Sequence, residues 1–419
     1  MKQITKDMYT QKRVERILNR AYDEVPYFNN IINDHIKDDD ELTADLLPRL
    51  PIFTKQTIRE IGWENFVSVS YLDDNNLPIS SRNVRLERTS GTTGTPMYIL
   101  WDAADYYSSI INHWKYRKQH FNIDPSSRLC ATSKHIPGNN IYYIKGNQLT
   151  FSIRELNTET IPQIFEAINK YEPDWMFIQN SILYVLVRAA KKMGLTFPKS
   201  IKYIEYMGEP LCEYYRREIA KEIVAKTSNM YGCVETNGIS YECPCGNNHI
   251  ISENVYVEIV NEEGNPIKNG NPGYVCVTGL HNTGMPMIRY RLNDIARMYD
   301  NPKCQCGNTN PIIHIEAARM PEFIILDDIS VYEKAQIISP INAGMKLYEV
   351  QSDDILFNIE IRRLDEYIIH IYKNFQQEIN FEELFLDIFK SYGFPNIRFE
   401  IVKSGTFYPS KPAGYIRLR

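Results

Sequence analysis

Val14, Ile17, Leu18 and Ala21 recur at the three-and-four spacing of an amphipathic helix, and Pro26 predicts that this helix stops just before it. Pro51-Ile52-Phe53 leads into Thr54, whose hydroxyl suits the N-cap of a second helix. Helical spacing returns at 105–119, 159–170, 180–193 and 210–226. Short apolar, β-prone runs at 128–133, 174–178 and 203–207 lie between these segments. That alternation predicts α/β layering. Residues 255–260 and 273–279 read as strands joined by the turn Glu263-Gly264-Asn265-Pro266. Beyond about residue 318 the pattern changes. Strands at 355–361 and 367–373 flank Leu364-Asp365-Glu366, a helix follows at 380–391, and a strand at 397–402 closes a β-β-α-β unit. The expected organisation is therefore a large α/β domain over 1–318 and a small α+β domain over 319–419.

A chain of 419 residues is long enough for at least two cores. With 47 basic and 52 acidic residues the net charge is −5, so no global field favours nucleic acid or an anionic membrane. Met1 to Tyr27 contains no apolar signal core. The longest apolar stretch, Ile182 to Val187, ends at Arg188 and is too short to cross a bilayer. Eight cysteines in such a chain point to thiols or metal ligation rather than a disulfide framework. The expectation is a soluble, cytoplasmic protein with neither a nucleic-acid nor a membrane partner.

The densest chemistry lies in Arg88-Thr89-Ser90-Gly91-Thr92-Thr93-Gly94-Thr95-Pro96. Glycines allow close backbone approach, successive N–H groups form an anion-binding concavity, and hydroxyls add donors for phosphate oxygens. The alternative is a solvent-exposed Thr/Gly turn. The strand-like flanks 84–88 and 97–101 favour a phosphate-gripping hairpin tip. No Gly-Lys-Ser/Thr ends the segment, so it is not a Walker loop. In Tyr231-Gly232-Cys233-Val234-Glu235 an aromatic ring before glycine suits base stacking, and Glu235 suits Mg²⁺ beside phosphates. Asp294, after Met287-Ile288-Arg289-Tyr290-Arg291, is read as ending a strand; it either accepts ribose hydroxyls or caps the next turn. His135 and Tyr142, in a loop after strand 128–133, are candidates for the wall of an organic-acid pocket. Cys243-Pro244-Cys245-Gly246 and Cys304-Gln305-Cys306-Gly307 are matching knuckles. Their four thiols can complete a tetrahedral, structural Zn²⁺ site, with His249 a further candidate ligand. Cys130, Cys212, Cys233 and Cys276 stand singly in apolar contexts and read as core.

Taken in order, the Thr/Ser/Gly loop, Tyr-Gly-x-x-Glu and Arg-Tyr-Arg-x-x-Asp resemble the adenylate-forming acyl-CoA synthetase superfamily, and most of all its phenylacetate–CoA ligase branch. Val25-Pro26-Tyr27-Phe28, Leu50-Pro51-Ile52-Phe53-Thr54-Lys55, Gly208-Glu209-Pro210-Leu211 and Met285-Pro286-Met287 extend the resemblance over nearly the whole chain. It implies a large N-terminal adenylating domain of layered sheets and helices with a small C-terminal lid. By that resemblance Thr89 to Thr95 grip the phosphates of ATP, Tyr231 stacks on adenine and borders the acid, Glu235 binds Mg²⁺ and Asp294 holds the ribose. Gly208, Glu209 and Gly232 complete the nucleotide set. Arg319 opens the lid and Lys411 is the candidate lid cation. The implied reaction activates a carboxylic acid as an acyl-adenylate and passes it to CoA, an amine or a carrier protein. A non-catalytic member of the fold, or one acting in envelope biosynthesis, is the alternative. Four positions depart from the family pattern. Val234 stands where a threonine precedes the glutamate, with Thr236 on its far side. Pro321 occupies the hinge, Asp327 to Val331 lacks a glycine, and Tyr415 takes the place of the lid lysine. Losing a cation at developing phosphoryl charge costs about 10²–10³ in rate, roughly 3–4 kcal/mol.

Overall fold

In the computed structural model, Val14, Ile17, Leu18 and Ala21 form the fully buried face of α1 (Lys6–Glu24), as their spacing predicts. The structure describes residues 6–36, 41–89, 97–134, 136–300 and 303–319, then segments 323–325, 331–333, 357–363, 366–371, 398–403 and 415–418, with positions 383 and 386. After α1 come α2 (Pro26–Asn33) and α3 (Lys55–Ile61). Thr54 caps α3 through a reciprocal box in which its hydroxyl accepts from the Thr57 N–H and the Thr57 hydroxyl accepts from the Thr54 N–H. The hairpin of β1 (Val84–Arg88) and β2 (Tyr98–Asp102) is antiparallel and leads into α4 (Ala103–Phe121).

An alternating α/β segment follows: β3 (Leu129–Ser133), β4 (Tyr142–Lys145), β5 (Gln148–Ser152), α5 (Ile161–Tyr171), β6 (Trp175–Ile178), α6 (Asn180–Met193), β7 (Tyr203–Tyr206) and α7 (Glu213–Ala220). The chain then becomes β-rich: β8 (Lys226–Cys233), β9 (Asn237–Glu242), β10 (Asn248–Ile250), β11 (Val255–Val260), β12 (Gly273–Gly279), β13 (Tyr290–Tyr299) and β14 (Ile312–Arg319). The described C-terminal strands are β15 (Phe323–Ile325), β16 (Val331–Glu333), β17 (Phe357–Arg363), β18 (Glu366–Ile371), β19 (Arg398–Lys403) and β20 (Tyr415–Leu418). No helix among the described residues is long and apolar enough to cross a membrane.

The chain forms two units, one of residues 1–120 and 230–316 and one of 121–229 and 317–419. In the first, β8, β9 and β10 pair antiparallel in succession, and β11, β12 and β13 do the same. Its core joins the apolar face of α1, Phe28, Phe53, Phe66 and Trp101 to Val257, Val275, Val277 and Tyr290. In the second, β7, β6, β3 and β5 are parallel neighbours, and β4 closes the edge antiparallel to β5. Helix α6 is buried almost all round, from Asn180 to Ala190, which is why its apolar run is so long. In the C-terminal part of this unit β17 pairs antiparallel with β18, β18 parallel with β19, and β20 lies between β17 and β14. The expected helix at 380–391 lies outside the described residues except for Glu383 and Leu386, both helical.

Two buried charges organise these units. Arg289, with φ 54 just before β13, is 2 % exposed. Its guanidinium forms a bidentate pair with Glu258 of β11, at 3.1 Å to each oxygen, and donates to the carbonyls of Leu50 and Gly264. Burial pushes the Glu258 carboxyl up and Arg289 pulls it back down. In the second unit Glu209 accepts from Asn180 Nδ2, the Ser181 N–H and the Ser181 hydroxyl, at 2.7–2.9 Å, at the N-terminus of α6. Burial pushes this carboxyl up to about 7, against the pull of the Ser181 donors toward the ionised form.

Replacing Arg289 by Met strands Glu258 as an uncompensated buried charge. Urea unfolding should show a loss of about 3–5 kcal/mol, and most of it should return when Glu258→Gln is added. For Glu209 the folded pKa of about 7 exceeds the ordinary 4.5, so the protonated form is the one that folding favours. Its stabilising contribution is complete below pH 4.5 and lost as pH rises through about 7. Glu209→Gln, which keeps the same hydrogen-bonding reach, should match the wild type at acid pH and exceed it at pH 8 by up to ~3 kcal/mol. Denaturant curves across pH 5–8 measure the difference; parallel curves for the two proteins would refute it.

Candidate functional site

The hairpin that carries the hydroxyl-rich loop is closed at its base by Thr89. Its N–H donates to the Met97 carbonyl at 2.9 Å, and its hydroxyl oxygen accepts from the Met97 N–H at 2.9 Å. Lys55 Nζ donates to the same oxygen at 2.9 Å. Thr89 is therefore a buried anchor of the loop, while Ser90, Gly91, Thr92, Thr93, Gly94 and Thr95 lie outside the described residues. Lys55 owes its position to the cap at Thr54 and to Phe53, whose backbone pairs with β13. The Phe53 N–H donates to the Arg289 carbonyl at 3.3 Å, and the Arg291 N–H donates to the Phe53 carbonyl at 2.9 Å.

Two candidate carboxylates, Glu235 just after β8 and Asp294 on β13, are held in a reciprocal arrangement. Tyr231 of β8 donates its hydroxyl to Asp294 Oδ2 at 2.9 Å, and Tyr290 of β13 donates its hydroxyl to Glu235 Oε1 at 3.0 Å. Each segment thus offers one tyrosine and, four residues on, one carboxylate. Glu235 sits in the turn between β8 and β9 and is 6 % exposed; Asp294 is 3 % exposed. Asp294 does not end a strand, as expected from the sequence, but lies in the middle of β13. There the register with β12 slips: Tyr274 faces Ile295 whereas Cys276 faces Arg291. The extra residues form a bulge that re-aims Asp294, a device that residue patterning alone does not reveal.

Gly232 is required by close packing. A Cβ there would lie 2.5 Å from the Asn237 carbonyl oxygen across the β8–β9 hairpin. Thr236, the hydroxyl residue next to Glu235 in sequence, is 2 % exposed and turns toward Cys233 Sγ at 3.3 Å. It does not stand in for the threonine that Val234 replaces. The Val234 carbonyl instead accepts from Trp101 Nε1 at 3.2 Å.

In the second unit Gly208, with φ 77, follows β7 and leads into the capping carboxylate Glu209. Tyr142 is exposed on the edge strand β4, and His135 lies outside the described residues. Arg319 is the last residue of β14 and pairs in register with Tyr415 of β20; Lys411 and Pro321 lie outside the described residues. The cysteine knuckles do converge, but with a different membership from that expected. Cys243, Cys304, Cys306 and His249 bring their ligand atoms within 4.8 Å of one another, while Cys245 is exposed at the rim, its thiol beside Cys243 and Cys304. Cys130, Cys212 and Cys276 are buried, as expected, and Cys233 is half-buried.

The structure thus brings Thr89, Tyr231, Glu235 and Asp294 into one unit and adds Lys55 and Tyr290, which were not among the predicted site residues. Lys55 was signalled by its place one residue after a capping threonine; Tyr290 stood in plain view between two arginines. A Mg²⁺ ion fits Glu235. Its Oε1 is oriented by a neutral donor and its Oε2 has no hydrogen bond among the described residues, which leaves a hard oxygen for a cation shared with phosphates.

A family model of the AMP-binding enzyme matches residues 85–285. The phenylacetate–coenzyme A ligase of Thermus thermophilus is 23% identical over 347 residues, which cover 77% of this chain and 72% of that protein. The enzyme of the same name from Pseudomonas putida is 23% identical over 394 residues, covering 88% and 80% respectively. The structure of 2-hydroxyisobutyryl-CoA ligase in its postadenylation state, in complex with an adenylate, superposes with a TM-score of 0.62 at 14% identity, over 99% of this chain and 89% of that one. The same ligase with adenylate and CoA in the thioesterification state gives 0.62 at 15% identity, over 98% and 89%. These superpositions show a shared fold. The chain thus carries an AMP-binding enzyme segment over 85–285, which bears Thr89, Tyr231 and Glu235, and is similar over most of its length to phenylacetate–coenzyme A ligases.

Proposed function

We propose that this protein is an ATP-dependent, AMP-forming ligase that activates a carboxylic acid as its acyl-adenylate and transfers the acyl group to CoA. The reciprocal Tyr231–Asp294 and Tyr290–Glu235 pairs carry this reading, because they hold two buried carboxylates ready for a ribose and a metal ion at the loop hairpin's own unit. The acid's carboxylate oxygen attacks the α-phosphorus, and the bond to the β-phosphate oxygen breaks as pyrophosphate leaves. The thiol of CoA then attacks the acyl carbon and expels AMP. Such displacement at phosphorus needs positioning and charge neutralisation rather than a strong base. Mg²⁺ would supply neutralisation of phosphate charge; Glu235 would hold it, and the neutral Tyr290 hydroxyl orients Glu235 without cancelling its charge. Thr89 to Thr95 would grip the phosphates, with Lys55 fixing Thr89 at the loop's base. Gly208, Glu209 and Gly232 would shape the nucleotide side. His135 and Tyr142 would border the acid. Residues 319–419 would act as the lid, with Arg319 at its start and Lys411 as its cation. The acid is organic and, by likeness to the named relatives, aromatic; an amine or a carrier-protein thiol is the alternative acceptor. The cysteine–histidine cluster carries a structural metal and takes no part in the reaction, since four protein ligands leave no open position.

Carboxylate-dependent ATP–pyrophosphate exchange tests the first half-reaction with aliphatic, hydroxy and aromatic acids, and acyl-CoA formation tests the second. Glu235→Gln should slow exchange by about 10²–10³. Tyr290→Phe, which only disorients Glu235, should cost about 10–100-fold and should raise the Mg²⁺ concentration needed for half-maximal rate. Binding of ATP or AMP without exchange for any acid in the panel would replace this reading by that of a non-catalytic adenylate-binding member of the fold.

A further inference from the structure

Four soft or borderline ligands converge at the end of the β9–β10 hairpin, away from the residues assigned to the nucleotide. Ligand atoms of Cys243, His249, Cys304 and Cys306 all lie within 4.8 Å of one another. The Cys243 and Cys304 sulfurs are 3.8 Å apart, and Cys306 Sγ lies 3.3 Å from His249 Nε2. Around a tetrahedral Zn²⁺, with Zn–S about 2.3 Å and Zn–N about 2.0–2.1 Å, sulfur–sulfur edges are about 3.8 Å and sulfur–nitrogen edges about 3.5 Å. One sulfur–sulfur edge and one sulfur–nitrogen edge of the cluster therefore lie within about 0.2 Å of those of a zinc tetrahedron.

The surroundings are built to match. Two equivalent turns present the thiols: the Gly246 N–H donates to the Cys243 carbonyl and the Gly307 N–H to the Cys304 carbonyl, with φ 80 and 79 at the two glycines. The His249 ring is fully buried, and Nδ1 faces the Asn310 carbonyl at 3.0 Å. With the proton on Nδ1 as donor, the lone pair of Nε2 is left facing Cys306, the arrangement of a metal-bound imidazole. Sulfurs also receive N–H donors: Asn247 Nδ2 reaches Cys304 Sγ at 3.3 Å and the Asn308 N–H reaches Cys306 Sγ at 3.4 Å. Cys245, the second thiol of the first knuckle, is exposed; it touches Cys243 and Cys304 but is not one of the four whose ligand atoms all lie within 4.8 Å of one another, whereas the buried His249 is.

The position in the chain gives the cluster a task. Cys304 and Cys306 lie in the connection between β13, which carries Asp294, and β14, which ends at Arg319. One ladder pair, His249 with Ile312, joins β10 to β14. We propose that Cys243, His249, Cys304 and Cys306 bind one structural Zn²⁺ that fastens the β13–β14 connection to the β9–β10 hairpin, with Cys245 outside the coordination sphere. This rests on the structural metal proposed above and adds its ligand set and its mechanical role.

The test uses full-length protein purified in reductant without chelator, with elemental analysis for zinc and parallel substitution by Co²⁺. Wild type and Cys245→Ser should each hold about one equivalent of zinc. Their cobalt forms should show the same thiolate-to-metal charge-transfer absorption. His249→Gln and Cys306→Ser should lose the metal. Stripping zinc from folded wild type should lower Tm by about 10 °C and open the 300–311 segment to protease, both reversed by added Zn²⁺, a readout that stands even where those two variants fail to accumulate. Wild type without zinc would overturn the metal itself. Zinc that is present but lost in Cys245→Ser, or kept in His249→Gln, or a weaker cobalt absorption in Cys245→Ser, would overturn the ligand set and leave the metal standing. A stripped protein with unchanged Tm and protease resistance would overturn the fastening role.

Discussion

One buried guanidinium decides where much of the first unit goes. Arg289 sits in a left-handed backbone conformation that a non-glycine residue adopts at a cost, and its side chain is withdrawn almost wholly from water. Neither expense is tolerable unless every donor finds a partner. Here the partners are Glu258 on β11, the Leu50 carbonyl before α3 and the Gly264 carbonyl in the turn between β11 and β12. The β11–β12 hairpin and the distant segment before α3 are thus held at fixed distances from one residue. An apolar core of the same volume would be comparably stable, so the gain from the charge lies in geometry. The backbone on either side of Arg289 then pairs with Phe53, which places Lys55 two residues away at the base of the loop hairpin.

From that fixed point the carboxylates are set by neutral donors. A tyrosine hydroxyl orients Glu235 and another orients Asp294, each near 3 Å. An arginine or lysine in the same positions would hold them as firmly but would cancel the charge that a cation needs. Phenol oxygens leave it intact, so the site is preorganised without being neutralised. The bulge in β13 serves the same end: it lets a strand that must also carry Tyr290 turn Asp294 toward Tyr231.

Much of the first unit and of the α/β segment is legible in local sequence signals. The first helix, the Thr54 cap, the strands on both sides of the hydroxyl-rich loop and the alternating α/β segment follow from periodicity and capping chemistry that act over a few residues. The expected helix at 210–226 is shorter, because α7 ends at Ala220 and Lys226 already starts β8. Helix α2 was not anticipated, since the residues after Pro26 are few and the apolar stripe of α1 dominates the reading. The bulge at Asp294 could not be read at all, and His249 could be named only as a further candidate beside the four thiols. Each depends on a partner some sixty residues away, Tyr231 in one case and Asn310 in the other. Spacing identifies which residue types are available; only the fold decides which of them face each other.

Magnitudes limit what the departures from the family pattern can mean. Thr236 is buried against Cys233, so the hydroxyl expected ahead of Glu235 is missing. A lost neutral donor is worth about 1–3 kcal/mol. At the lid, Tyr415 takes the place of the family's lysine, and its backbone is paired on both sides, with Arg319 and with Asn358. A lost cation there is worth roughly 3–4 kcal/mol. The two together stay within about 7 kcal/mol, below the ~8–23 kcal/mol by which enzymes commonly lower barriers. The hydrogen bond from Tyr290 to Glu235 is untouched by either change. On the proposed reading the departures would slow the reaction rather than abolish it, and they leave the Tyr231–Asp294 and Tyr290–Glu235 hydrogen bonds complete.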